Sequence, residues 1–166
     1  MSFLAFSTSL AVFAVSESIL ETAHAIEELS RLYGPLIISP VYESAPVGFE
    51  GAPFYNLVIA FDTEERPRQL VEQLHTLERA HGRPPKHGAW VSRTLDLDLV
   101  RLGELVCEQP VKLPRPECRR YAFILKPLAD IAPHWRDPED RTAYIDLWRK
   151  FDQTSQPLTR VELTDT

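Results

Sequence analysis

Cysteine, positive charge and long apolar runs are what this chain has least of. Cys107 and Cys118 are the two cysteines among 166 residues. That number excludes a disulfide-dense scaffold, their separation does not resemble a zinc site, and they suit a reducing compartment such as the cytoplasm. Lys and Arg total 18 against 24 Asp and Glu, a net charge of −6, which disfavours a nucleic-acid backbone as partner. No stretch approaches the roughly 20 apolar residues of a membrane span. The most apolar segment is residues 1–15, which ends in Leu10-Ala11-Val12-Phe13-Ala14-Val15. A secretory leader would pair such a run with a positive n-region, yet no Lys or Arg precedes Arg31, and Ser7, Thr8 and Ser9 interrupt it. A first strand followed by a loop is the expectation. Internal repeats and low-complexity segments are also absent. What is present, 44% apolar and 25% charged residues, fits one compact domain spanning residues 1–166, with a polar tail over about 153–166.

Periodicity supplies the elements. Residues 2–6 are expected as the first strand, and Ser16 as the N-cap of a helix carrying Ile19, Ala23, Ile26, Leu29 and Tyr33 at helical spacing, stopped by Gly34-Pro35. Residues 36–42 read as a strand bent by Pro40. Residues 55–62 are apolar on both faces and therefore central. Leu70, Leu74 and Leu77 mark a second helix, with Glu78 near its end. A turn-rich loop over 82–88 follows, then a strand over 93–100. Residues 105–107 are expected to pair back as a hairpin strand. Helices over 121–130, burying Phe123, Leu125 and Leu128, and over 142–151 come next, and a last short strand over 160–163. The order β-α-β-β-α-β with C-terminal additions is an α+β, ferredoxin-like core with a mostly antiparallel sheet and packed helices.

The chemistry concentrates in Arg93-Thr94-Leu95-Asp96-Leu97-Asp98-Leu99-Val100. Period two gives a strand with an aliphatic face, Leu95, Leu97 and Leu99, and an acidic one. Two residues of strand rise set Asp96 and Asp98 roughly 6–7 Å apart. Aspartate is disfavoured in strands and like charges on one face repel. The pair therefore calls for a cation, either Mg²⁺ or Arg93; the plainer reading is a solvated strand face. Carboxylates that hold Mg²⁺ usually share it with substrate phosphates, so phosphoryl or nucleotidyl transfer is the first reaction class to consider.

The same block, RTLDLD, resembles the signature of the 6-hydroxymethyl-7,8-dihydropterin pyrophosphokinase family. The resemblance runs from about residue 34 to 133, through Ser39-Pro40-Val41-Tyr42-Glu43-Ser44, Pro46-Val47-Gly48, Phe54-Tyr55-Asn56, Glu78-Arg79-Ala80-His81-Gly82-Arg83, Leu113-Pro114-Arg115, Ala122-Phe123-Ile124-Leu125 and the segment from Pro127 to Pro133. It implies transfer of pyrophosphate from ATP to the hydroxymethyl oxygen of a reduced pterin, with two Mg²⁺ ions on Asp96 and Asp98. Catalytic roles map onto Arg83, Arg93, Asp96 and Asp98. Pterin contacts map onto Ser44, Ala45, Val47, Phe54, Asn56 and Phe123, the two Phe as stacking walls and Asn56 reading the ring edge. ATP contacts map onto Arg83, Trp90, Arg93, Leu99, Lys112 and Arg115. The implied protein is a cytoplasmic monomer that meets small molecules rather than nucleic acid or membrane.

Departures from the family pattern are equally specific. The Gly-Ser-Asn-Leu that follows the family's first strand corresponds to Ser7-Thr8-Ser9-Leu10. A second basic residue in the loop is Pro85, and a downstream phosphate arginine falls on Tyr121, with Arg119 and Arg120 close by. Three functions compete: an active pyrophosphokinase, favoured by Arg93, Asp96 and Asp98; a non-catalytic pterin-binding paralogue, favoured by the departures; and a ferredoxin-like RNA-binding domain, opposed by the acidic charge and the missing basic-aromatic strand motif.

Overall fold

A computed structural model of the chain describes residues 8–82 and 94–163. The elements are β1 (Thr8–Ser16), α1 (Ile19–Tyr33), β2 (Ile37–Ile38), β3 (Val41–Ser44), β4 (Phe54–Thr63), α2 (Pro67–Ala80), β5 (Asp96–Leu102), α3 (Glu117–Arg120), α4 (Ala122–Ile131), α5 (Tyr144–Lys150) and β6 (Thr159–Val161). The six strands form one sheet in the order β5-β1-β4-β3-β6, with β2 also on β4, and the pairings are antiparallel. This is the ferredoxin-like α+β arrangement that the element order predicts.

Both faces of the sheet are covered, which explains why β1 and β4 read as continuous apolar runs. Leu10, Val12, Ala14, Leu57, Ile59, Phe61, Leu95, Leu97 and Leu99 form one core with Ala25 and Leu29 of α1 and Leu70, Leu74 and Leu77 of α2. Ala11, Phe13, Val58 and Val100 form the other with Ile124, Leu125, Leu128 and Tyr144 from α4 and α5. The C-terminal additions thus close a face that a bare split βαβ unit would leave wet.

Several expectations shift. The expected strand at residues 2–6 lies outside the described residues. The run 10–15 is the middle of β1 rather than a following loop, because its alternate residues feed the two cores. The strand-to-helix junction accordingly falls at Ser16-Glu17-Ser18. Ser18, not Ser16, is the N-cap, accepting from the Glu21 N–H at 3.4 Å. Ser16 instead donates to the Thr94 carbonyl at 2.5 Å. Pro40 splits the expected 36–42 strand into β2 and β3, and the Ser39 hydroxyl repairs the ladder by accepting from the Val58 N–H at 2.9 Å. Residues 105–107 do not pair back on β5. Leu105 and Val106 are exposed, and Cys107 bridges Leu113, while the Arg115 N–H takes the Val100 carbonyl on the free edge of β5 at 2.8 Å.

Candidate active site

Cross-strand partners in an antiparallel sheet point their side chains to the same face. Register therefore assembles the site. Asp96 pairs with Val15, Val15 with Asn56 and Asn56 with Tyr42. The next row is Asp98, Phe13 and Val58. On the other side of Asn56, Phe54 pairs with Ser44. Asp96, Asp98, Asn56, Phe54 and Ser44 thus share the face that α4 crosses. With strands about 4.8 Å apart, Asp96 and Asn56 stand roughly 10 Å from each other. Leu95, Leu97 and Leu99 point the opposite way.

The Asn56 end is held from within. Asn56 is 1% exposed, and its amide Nδ2 donates to the Ser44 hydroxyl at 2.8 Å and to the Tyr42 and Phe54 carbonyls at 3.0 and 3.1 Å. Tyr42 is anchored in turn by donating its hydroxyl to Asp130. Burial first, then that hydrogen bond, pushes the phenol well above its ordinary range. Asn56 is therefore a buried, clamped group. Phe54 is half-buried against Phe49, edge to face at 6.3 Å. Phe123 is half-buried, tilted on Phe13 at 5.8 Å and stacked on Tyr121 at 4.9 Å. Ala45 and Val47 sit in the exposed loop after β3.

The acidic end is the sheet edge. Asp96 and Asp98 are half-buried on β5. Arg115 Nη2 lies 3.2 Å from Asp98 Oδ1, and its Nε donates to the Leu99 carbonyl at 3.1 Å. Among the described residues a protein cation, Arg115, meets the pair at Asp98; the expected Arg93, like Arg83, Trp90 and Pro85, lies outside the described residues. Leu99 is 1% exposed in the opposite core, so its side chain cannot reach a nucleotide on this face. Lys112 is exposed and pairs with Glu108 at 3.3 Å. Arg119 is held by Asp140 at 2.5 Å and by Asp137 at 3.7 Å, so it is committed to the C-terminal segment. Tyr121 is committed to the Phe123 ring. Among the described residues no group of three or more His, Cys, Asp and Glu is arranged to hold a metal. The two strand carboxylates fit an ion that completes its shell with phosphate and water, as Mg²⁺ does.

Three contributors escaped the sequence reading. Glu78 is 1% exposed, and its carboxylate accepts from the Leu97 N–H at 2.8 Å, fixing the strand between the two aspartates. Its signal was a carboxylate on the buried stripe of α2. Phe13, which backs Phe123, had none within its apolar run. A bulge in β5 pairs Ala11 with Arg101 and Val12 with Leu99. It turns buried Arg101 toward Trp135 and Tyr144, at 4.6 and 5.6 Å from their rings, and no pattern announces it.

An acidic strand beside a clamped amide and aromatic walls, on one face of a ferredoxin-like sheet, defines an α+β small-molecule site. Comparison with known proteins narrows the class. The profile of 7,8-dihydro-6-hydroxymethylpterin-pyrophosphokinase (HPPK) matches residues 14–133, and the chain belongs to that family. Relatives named 2-amino-4-hydroxy-6-hydroxymethyldihydropteridine pyrophosphokinase include one from Pseudomonas aeruginosa, 41% identical over 63% of this chain and 65% of that one. Those from a Synechocystis species and from Porphyromonas gingivalis are 33% and 34% identical, over 79% and 71% of this chain and 68% and 84% of theirs. The chain thus spans about two thirds of the length of the first two. Wild-type Plasmodium falciparum HPPK-DHPS shares the fold, with a TM-score of 0.69 at 12% identity over 87% of this chain and 45% of that one. A profile match beginning at residue 14 agrees with the junction in the structure. Ser7-Thr8-Ser9-Leu10, set against the family's Gly-Ser-Asn-Leu, lies before the matched span.

Proposed function

We propose that the chain transfers pyrophosphate from ATP to the hydroxymethyl oxygen of 6-hydroxymethyl-7,8-dihydropterin. That oxygen attacks the β-phosphorus, the bond to the α-phosphate oxygen breaks, and AMP leaves as the hydroxyl proton is lost. The observation that carries this reading is the register placing Asp96 and Asp98 on the same face as Asn56, Ser44 and Phe54. One substrate can then be gripped at its ring edge while its hydroxymethyl arm extends toward the carboxylates. Asn56 and Ser44 read the pterin edge, with Phe54 and Phe123 as apolar walls and the backbone at Ala45 and Val47 closing the side. Asp96 and Asp98 would hold Mg²⁺, two ions as the family resemblance implies, supplying charge neutralisation on the phosphoryl oxygens. Arg115, whose fork suits phosphate as well as carboxylate, binds phosphate once Asp98 is otherwise engaged. Arg83, Arg93, Trp90 and Lys112, with the Leu99 backbone, complete the nucleotide contacts. The work is positioning and electrostatics, and no covalent nucleophile is called for.

The protein acts as a monomeric single domain. Both cysteines are free, which suits the cytoplasm. Among the described residues no helix is long and apolar enough to cross a membrane. The test is incubation with ATP, Mg²⁺ and the reduced hydroxymethylpterin, with AMP as the product sought. A second reading, a pterin-binding paralogue without turnover, draws on Tyr121 and on the commitment of Arg119 to Asp137 and Asp140. Saturable pterin binding with no AMP formed would select it.

A further inference from the structure

On the other side of the sheet, the imidazole of His81 is held at both ring nitrogens. Nδ1 lies 2.5 Å from Glu21 Oε2 and Nε2 lies 2.6 Å from Glu28 Oε2. The His81 side chain is 8% exposed, whereas both glutamates are on the accessible face of α1. Carboxylates accept hydrogen bonds and do not donate them. A neutral imidazole has one donor, so two such contacts require a second proton. Imidazole holds that proton more readily than carboxylate, since the ordinary values are about 6.5 and 4.3.

The backbone of the same residue connects to the acidic strand. The Thr94 hydroxyl donates to the His81 carbonyl, and the Thr94 carbonyl accepts from Ser16 at the end of β1. Thr94 stands two residues before Asp96. We propose that doubly bonded, protonated His81 is a positioning residue: it ties α2 to α1 and, through Thr94, sets where β5 begins and hence how Asp96 is presented. This rests on the reading of Asp96 as part of the pyrophosphoryl-transfer site. His81 touches no substrate and is not a catalytic residue.

The charged surroundings are mixed. From α1, Glu21 and Glu28 make the bonds, while His24, Glu27 and Arg31 line the same cleft. From α2, Glu78 is engaged by the Leu97 N–H, and Arg79 donates to Thr76. Burial pulls the His81 value down, but the hydrogen bonds to Glu21 and Glu28 and their charges outweigh it, and the net shift is upward from 6.5. A raised imidazole value means stability fully present below about 6.5 and lost as pH rises through the folded value. The clamp therefore loosens toward alkaline pH.

The test is a pH titration followed by NMR on the full chain, reading the His81 ring nitrogens together with the backbone amides of Leu95 and Asp96. The expected result is two protonated ring nitrogens at neutral pH and a midpoint above 6.5. The amides of Leu95 and Asp96 shift at that same midpoint, and Glu28→Gln or Glu21→Gln moves both midpoints down together. In the AMP assay the alkaline limb of kcat follows the His81 midpoint in wild type and in both variants. The fall across it is roughly two- to tenfold, the range of one lost hydrogen bond. A midpoint at or below 6.5, or Leu95 and Asp96 amides that do not move with His81, overturns the proposal. Absence of AMP formation at every pH, with the NMR titration as expected, counts against the pyrophosphokinase reading and leaves the clamp standing.

Discussion

The two faces of one sheet serve different ends, although the same strands build both. Against α1 and α2 the sheet presents Leu10, Val12, Leu57, Ile59, Leu97 and Leu99, all 2% exposed or less. One residue along each strand, the opposite face presents Phe13, Val15, Asn56, Asp96 and Asp98. There α4 and α5 bury only part of the surface, around Phe13, Val58 and Val100. The β5 residues beyond that cover are acidic and half-buried. The face against α1 and α2 stabilises the fold, and on the proposed function the opposite face leaves Asp96 and Asp98 half-buried, within reach of a substrate. Replacing a side chain on one face should therefore cost stability, and on the other, turnover.

The largest effect is expected at the aspartates. Asp96→Ala or Asp98→Ala should lower AMP formation on the order of a thousandfold, comparable to removing a principal electrostatic group from an active site, with an unchanged circular dichroism spectrum. Near wild-type turnover in either would break the division between the faces. Leu99→Ala, one residue along, should do the converse. It costs about 2–5 kcal/mol in a urea titration by leaving a core cavity, while kcat of the folded fraction stays near wild type.

Asn56→Ala straddles the two roles, because the side chain bonds Ser44 and the Tyr42 and Phe54 carbonyls. It should cost about 1–3 kcal/mol of stability and raise KM for the pterin well above any change in KM for ATP. Tyr121→Arg is subtler. An added phosphate-binding fork should tighten ATP by roughly tenfold, but Tyr121 stacks on Phe123 at 4.9 Å. Pterin affinity should therefore fall in the same variant; calorimetry with each ligand separates the two changes. The smallest effect is at Asp140, which the hydrogen bond from Arg119 holds at about 2 instead of 3.8. A depressed carboxylate adds stability above its ordinary value and loses it as pH falls through the folded one. Asp140→Asn should flatten that slope slightly in denaturation curves taken between about pH 5 and pH 2, slightly because surface pairs are weak.

The fold was legible where one periodicity dominated. The alternating leucines of β5, the both-sided apolar run of β4 and the helical stripes of α1 and α2 all stand where their spacing puts them. β1 was misplaced because Leu10 to Val15 is apolar without a period, so nothing in the run distinguished a buried strand from a loop. The junction shifts with it: Ser16 has the residue type of a cap, but its hydroxyl closes onto the Thr94 carbonyl. The individual candidate site residues come from a family pattern and much less from chemistry. Asn56 before an apolar run looks like a turn residue until the register sets Tyr42 and Ser44 beside it. Arg115 lies 17 residues from Asp98, a contact made by a returning loop that no local rule encodes. Leu99 shows the reverse case: strand alternation alone already turns its side chain away from the aspartate face, which leaves its backbone as the group on offer to a nucleotide.

The central claim is that both substrates occupy the partly covered face of the sheet. Chemical-shift mapping tests it most directly, with Mg²⁺ and a non-hydrolysable ATP analogue added first and the reduced hydroxymethylpterin second. Nucleotide and metal should move the amides of Asp96, Asp98 and Arg115. Pterin should then move those of Ser44, Phe54, Asn56 and Phe123, and the α1 face should shift least. Perturbations concentrated on α1 and α2, with β5 and β4 silent, would contradict the account.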